Sequence, residues 1–119
     1  MNDIHPTAVI EDCVEMGDDN YIGPFCFLTG HLIIGNNNRF ESHCTVGTRP
    51  EHTKHTNKDG RVIIGDDGIF RDHVSIHAAT TDGLTRIGNC VIILNKAYVA
   101  HDCVLEDGST LSCGVKIGG

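Results

Sequence analysis

An apolar residue returns at every sixth position along most of this chain. Between residues 87 and 119 the series runs Ile87, Ile93, Val99, Leu105, Leu111, Ile117. A small or apolar side chain follows four places after each of the first five, at Val91, Ala97, Cys103, Ser109 and Val115. Neither the 3.6 period of a helix nor the 2 period of a half-buried strand produces this spacing. A six-residue ruler is the mark of a parallel β-helix, in which each hexad forms one flat side of a coil. Three sides close a coil of 18 residues, so residues 18 apart stack. The ruler also runs through Ile4, Ile10, Met16, Ile22, Leu28, Ile34, Phe40 and Val46. The pattern predicts an all-β chain, a single-stranded parallel β-helix of about six coils, forming one domain over residues 1–119.

The composition suits a slim interior. There are 14 glycines, 4 Phe, 2 Tyr and no Trp, so the core must be filled mainly by Ile, Val, Leu, Ala and Cys. Ile10, Ile22, Ile34, Phe40, Val46, Ile64, Phe70, Ile93, Val99 and Leu111 are expected to be buried. Replacing one of the larger ones by Ala should cost about 2–5 kcal/mol. Cys26, Cys44 and Cys103 occupy the fifth hexad place, shared with Ala8 and Ala97, and read as small core residues rather than disulfides or metal ligands. Asn20 and Asn38, 18 apart, suit either an internal amide ladder or left-handed corners.

The ruler lapses twice. Residues 48–61, TRPEHTKHTNKDGR, are polar and read as an inserted loop. Val46 and Ile64 lie 18 apart, so the phase is expected to survive, with one or two sides of that coil replaced or supplemented. Residues 78–85, AATTDGLT, form a second insertion with a turn at Asp82-Gly83, because Ile87 resumes 11 residues after Ile76. Specificity in a solenoid sits in such loops, and Glu51, His52, Lys54 and His55 crowd the first.

A net charge of −7 argues against a nucleic-acid partner, which needs clustered Lys and Arg. There is no run of 18 apolar residues, so no membrane span is expected. Nor does the start, MNDIHPTAVIED, read as a signal peptide. Six cysteines without a CxxC point to a reducing cytoplasm.

The same counting places the histidines. His77 follows Ile76 by one place, His101 follows Val99 by two, and Gly119 follows Ile117 by two. These three climb one edge of the prism, with coils about 4.8 Å apart. Two imidazoles and a backbone N–H thus converge on one small volume. His31, His43 and His73 read as surface or structural histidines.

These residues resemble a known family. IHPTAVIED at 4–12, IGPFCFL at 22–28, VSIHAATTDGLTRIG at 74–88 and AYVAHDC at 97–103 are similar to the UDP-N-acetylglucosamine acyltransferase of lipid A biosynthesis, a hexapeptide-repeat enzyme. The resemblance covers the whole chain. It implies a left-handed coil, an exception to right-handed crossovers, and a homotrimer with active sites in clefts between subunits. It further implies an acyl group moved from an acyl thioester, on acyl carrier protein or CoA, to a hydroxyl or amine of a nucleotide sugar. No cofactor or metal would be needed. By the resemblance His101 is the general base, a role suited to a side chain that titrates near neutrality. Gly119 supplies an oxyanion-hole N–H, His77 contacts substrate, and Lys54 lies in the nucleotide-sugar loop beside Glu51 and His52. The role of Asp102 stays open, because neighbours on a flat side point apart.

The chain departs from the family pattern at Glu51-His52, at His55, at Ala78-Ala79, at Lys96, and at Tyr98, where the family has a second histidine. It also lacks the family's further coils and helical domain, and so reads as a short form or a fragment. An acidic acyl carrier protein would meet a surface of like charge. Two other readings stand beside this one. One is a non-catalytic trimeric scaffold. The other is a γ-carbonic-anhydrase-like zinc site using His73, His77 and His101.

Overall fold

The structure is a computed structural model and describes residues 1–54 and 60–119. Its described residues form seventeen short strands in three parallel sheets, the three faces of a prism. The first face stacks Asp3–Ile4, Tyr21–Ile22, Arg39–Phe40, Ile69–Phe70, Ile92–Ile93 and Thr110–Leu111. The second stacks Val9–Ile10, Phe27–Leu28, Thr45–Thr48, Ser75–His77, Tyr98–Val99 and Lys116–Ile117. The third holds Glu15–Met16, His31–Ile34, Arg61–Ile64, Leu84–Ile87 and Val104–Leu105.

The ruler residues supply the inward columns. On the second face Leu28 pairs with Val46, Val46 with Ile76, Ile76 with Val99, and Val99 with Ile117. Burial follows the hexads. Eight of the ten expected core residues are buried, and the exceptions are Ile10 and Leu111, which are half-buried. Those two belong to the outermost coils, which have a neighbouring coil on one side only. Phe40 and Phe70 stack at the centre, ring centroids 4.4 Å apart and 7° from parallel. Cys26, Cys44 and Cys103 are buried, and all six thiols are free.

The six-residue phase survives the first insertion, with two sides' worth of residues added, but the stacking of residues 18 apart does not. Ile64 stacks not over Val46 but over Ile34, on the third face. The offset there is 30 residues, 12 more than a plain coil, so the loop after Thr48 is a pure addition and no side is replaced. Twelve is a multiple of six, so the hexad count continues in phase across the loop. At the second insertion Ile64 pairs with Ile87, an offset of 23 and therefore five extra residues. His55 lies outside the described residues.

The corners are equally regular where nothing is inserted. Between the first and second faces Phe25, His43, His73 and Lys96 all take left-handed φ near 60°. The N–H of His43 donates to Pro24 O, that of His73 to Ser42 O, and that of Lys96 to Asp72 O. Between the third and first faces the left-handed residues are Asp19, Asn37, Asp67 and Cys90. Just inside that corner the asparagines form an internal ladder from side chain to backbone. Asn20 Oδ1 accepts from the Asn38 N–H at 2.9 Å, and Asn38 Oδ1 accepts from the Gly68 N–H at 2.8 Å. The internal ladder is thus the reading that holds.

Candidate active site

Both insertions leave from the corner between the second and third faces. The first begins after Thr48 and the second after His77, and these two residues are register partners. In the next two coils the same corner carries His101-Asp102 and Gly118-Gly119, which follow the paired strands Tyr98–Val99 and Lys116–Ile117.

His101 is held by its neighbour. Asp102 adopts φ 62°, which turns its side chain back, and its Oδ2 accepts from His101 Nδ1 at 2.8 Å. Neighbours on a flat side would diverge, but this pair spans a left-handed corner. The same oxygen accepts from the Thr80 hydroxyl at 2.9 Å and from the Thr80 N–H at 3.3 Å. Burial pushes the Asp102 carboxyl up, but the donors from His101 and Thr80 outweigh it and leave the carboxyl below its ordinary range. An ionised Asp102 accepts only, so the proton of this bond sits on His101 Nδ1, and it is the neutral ring in this tautomer that has its lone pair on Nε2. The imidazole is 17% exposed, partly covered but not sealed in the prism.

Gly119 lies against this ring. A Cβ at Gly119 would stand 2.6 Å from His101 Nε2, so only a glycine allows the backbone to approach the imidazole so closely.

His77 sits one coil earlier. Its Nδ1 is buried and has no hydrogen-bond partner among the described residues. Burial pushes the His77 pKa down, the Glu51 carboxylate acts against that, and His101 adds to it. Tyr98 packs edge-on to His77, ring centroids 4.9 Å apart, and its hydroxyl donates to Glu51 Oε2 at 3.3 Å. Burial chiefly, and then the Glu51 carboxylate, push the Tyr98 phenol up. His52 meets His101 edge-on at 5.5 Å. Residues 48–53 and His77 line a cleft of about 520 Å³. Lys54 donates its backbone N–H to His52 Nδ1 at 3.1 Å, and its side chain is exposed and lies outside the cleft lining.

The structure therefore gathers His101, Gly119, His77, Tyr98, Glu51 and His52, and leaves Lys54 at the margin. It does not gather the histidines of the zinc reading. His73 stacks on His43 at another corner, ring centroids 4.7 Å apart. Among the described residues no group of three or more His, Cys, Asp or Glu side chains is placed to hold a metal ion. Sequence reasoning missed Thr80 and left Asp102 open. The available signal was that the second insertion and Asp102 share one corner.

No family model matches the chain. Among curated proteins it is 33% identical over 98% of its length to an acyl-[acyl-carrier-protein]–UDP-N-acetylglucosamine O-acyltransferase from Syntrophobacter fumaroxidans, covering 53% of that protein. It is 31% identical over its whole length to the protein of that name from Aliarcobacter butzleri, covering 54%. A UDP-N-acetylglucosamine acyltransferase structure from Francisella novicida superposes with a TM-score of 0.82 at 29% identity, over 98% of this chain and 50% of the other. The corresponding structure from Acinetobacter baumannii gives 0.83 at 26% identity, over 98% and 53%. The chain spans about half the length of the curated relatives it matches. From end to end it is similar to half of a UDP-N-acetylglucosamine O-acyltransferase, and its fold is theirs, a left-handed parallel β-helix.

Proposed function

We infer that this β-helix carries the centre of an acyltransferase that moves an acyl group from an acyl thioester, on acyl carrier protein or CoA, to a hydroxyl of a nucleotide sugar. The observation that carries the reading is the His101 imidazole, bonded through Nδ1 to an ionised Asp102 and lying on the backbone of Gly119. His101 Nε2 takes the proton from the sugar hydroxyl as its oxygen attacks the thioester carbonyl. The Gly119 N–H donates to the oxyanion that forms. Collapse breaks the carbon–sulfur bond, and the departing thiolate regains the proton from the imidazolium. Acid and base are thus one residue, and no cofactor is needed.

His77 lines the cleft beside Glu51 and His52, where the acceptor would meet its ring. The departures at Glu51 and His52 line this cleft, and that at Tyr98 bonds to Glu51 from beside it, so together they set which acceptor fits; an amine in place of the hydroxyl would use the same base. A homotrimer would close the cleft with a second copy of the chain. A cytoplasmic setting accords with free cysteines and with the finding that no helix among the described residues is long and apolar enough to cross a membrane.

The test is His101→Ala, with acyl transfer to UDP-N-acetylglucosamine measured directly. Transfer should fall by about 10²–10⁴-fold, the usual contribution of a positioned base, while light scattering reports an unchanged assembly. Retained transfer would remove His101 from the chemistry.

A further inference from the structure

We propose that Thr80, in the five-residue insertion, is a positioning residue that fixes the tautomer of His101 through Asp102. The inference rests on His101 acting as the base. Three donors meet on one carboxylate oxygen: His101 Nδ1 at 2.8 Å, the Thr80 hydroxyl at 2.9 Å and the Thr80 N–H at 3.3 Å. The rest of Asp102 is held just as closely. Its own N–H donates to Thr85 Oγ1 at 2.9 Å, and Thr85 is fully buried. Its other oxygen lies over Gly83, where any Cβ would collide with it. Gly83 is placed in turn by its N–H, which donates to Thr80 O at 2.8 Å across the turn at Asp82.

An exposed carboxylate on a corner has freedom about χ1 and χ2. A carboxylate with one rotamer selected by two Thr80 donors does not. The energetic logic is preorganisation: the acceptor for Nδ1–H stands in place before substrate arrives. Neutral histidine in water has two tautomers, and only the Nδ1–H form leaves Nε2 bare toward the Gly119 backbone. The five added residues therefore serve the base without touching substrate. A plain 18-residue coil has no Thr80 at this place, and the hexad pattern requires none.

Thr80→Val keeps the shape and removes the hydroxyl, whereas Thr80→Ser keeps the hydroxyl. Two quantities are read on the full chain. The first is the ¹⁵N signature of the His101 ring, assigned by its loss in His101→Ala, which needs no turnover. The second is kcat and KM with an acyl-acyl carrier protein and UDP-N-acetylglucosamine. Thr80→Val should shift His101 from the Nδ1–H form toward the Nε2–H form. It should also lower kcat about tenfold, part of the 10²–10⁴ a base supplies, at unchanged KM. Thr80→Ser should restore both. An unchanged ring signature in Thr80→Val overturns the proposal, and so does an equal loss in both variants accompanied by a lower melting temperature. Failure of the base reading looks different: His101→Ala would keep its transfer rate, while the ring signature would still report whether Thr80 sets the tautomer.

Discussion

Two kinds of corner exist in this prism, and they hold the same residue types to different ends. At the corner between the first and second faces the repeat is intact. Phe25, His43 and His73 sit one above another in left-handed conformation, and the rings of His43 and His73 stack 4.7 Å apart. Each of these histidines ties its own N–H to a carbonyl of the coil before it. At the corner between the second and third faces the repeat is broken twice. There His101 meets a carboxylate, a second imidazole lies one coil away, and the loop of residues 48–53 forms a cleft. A perfect repeat places like beside like and satisfies every backbone group, which makes a wall. Chemistry needs unlike groups at one point, and the insertions supply them.

If the intact columns carry stability and the broken corner carries chemistry, the largest effect on folding should come from the columns. Phe70 is fully buried and stacked on Phe40. Phe70→Ala should cost about 3–5 kcal/mol, the range for aromatic truncation in a packed core, read by urea denaturation. The cleft lies at the far end of the second-face strands, so the variant that remains folded should keep its His101 ring signature. A cost below about 1 kcal/mol would mean that the central coils repack freely, and the contrast between wall and corner would weaken.

The next effect is a pH dependence that belongs to the broken corner. His77 is pushed down mainly by burial, so the unfolded chain binds its proton more readily than the folded one does. Stability therefore rises with pH through the window just below the ordinary histidine value of about 6.5, and is lost as pH falls through it. His77→Gln should flatten this part of a stability–pH curve. His43→Gln, at the intact corner, is the control for a general histidine effect. Equal flattening in both would show that the slope does not come from the buried Nδ1 of His77.

Much of this was legible in the chain before any coordinates. The hexads identify the inward columns, because the spacing of buried side chains in a stacked coil is a property of sequence alone. They also place His77, His101 and Gly119 at one edge, since counting places is enough. What they cannot convey is a conformation that changes within one residue. Asp102 reaches His101 only through a left-handed φ, and nothing in a six-residue count announces which corner residue will adopt it. The path of the first insertion was hidden for an arithmetic reason. Its 12 added residues imitate two further sides, so Ile64 looked like the partner of Val46 when its partner is Ile34. The five-residue insertion does not imitate a side, and its presence was plain from the break in phase.

The smallest expected effect sharpens the contrast most, because it separates the cleft from the base. Tyr98 stands on the second face, where the register gives it Ser75 and Lys116 as neighbours, and its hydroxyl reaches out of the prism to Glu51 in the first loop. The bond is long at 3.3 Å, and Glu51 is exposed. Removing it should therefore cost only about 0.5 kcal/mol of stability, because a long bond to a solvent-exposed carboxylate contributes far less than a buried one. Its consequence is local. The ring of Tyr98 stays packed edge-on to His77 in Tyr98→Phe, so the imidazoles keep their places, while residues 48–53 lose an anchor to the wall. KM for the sugar acceptor should rise, and kcat should hold, because nothing that touches His101 Nδ1 has changed. Hydrogen exchange of the 48–53 amides should quicken in the same variant. A fall in kcat with steady KM would place Tyr98 with the base instead of the cleft, and the broken corner would have to be read as one unit rather than as a base with a separately held loop.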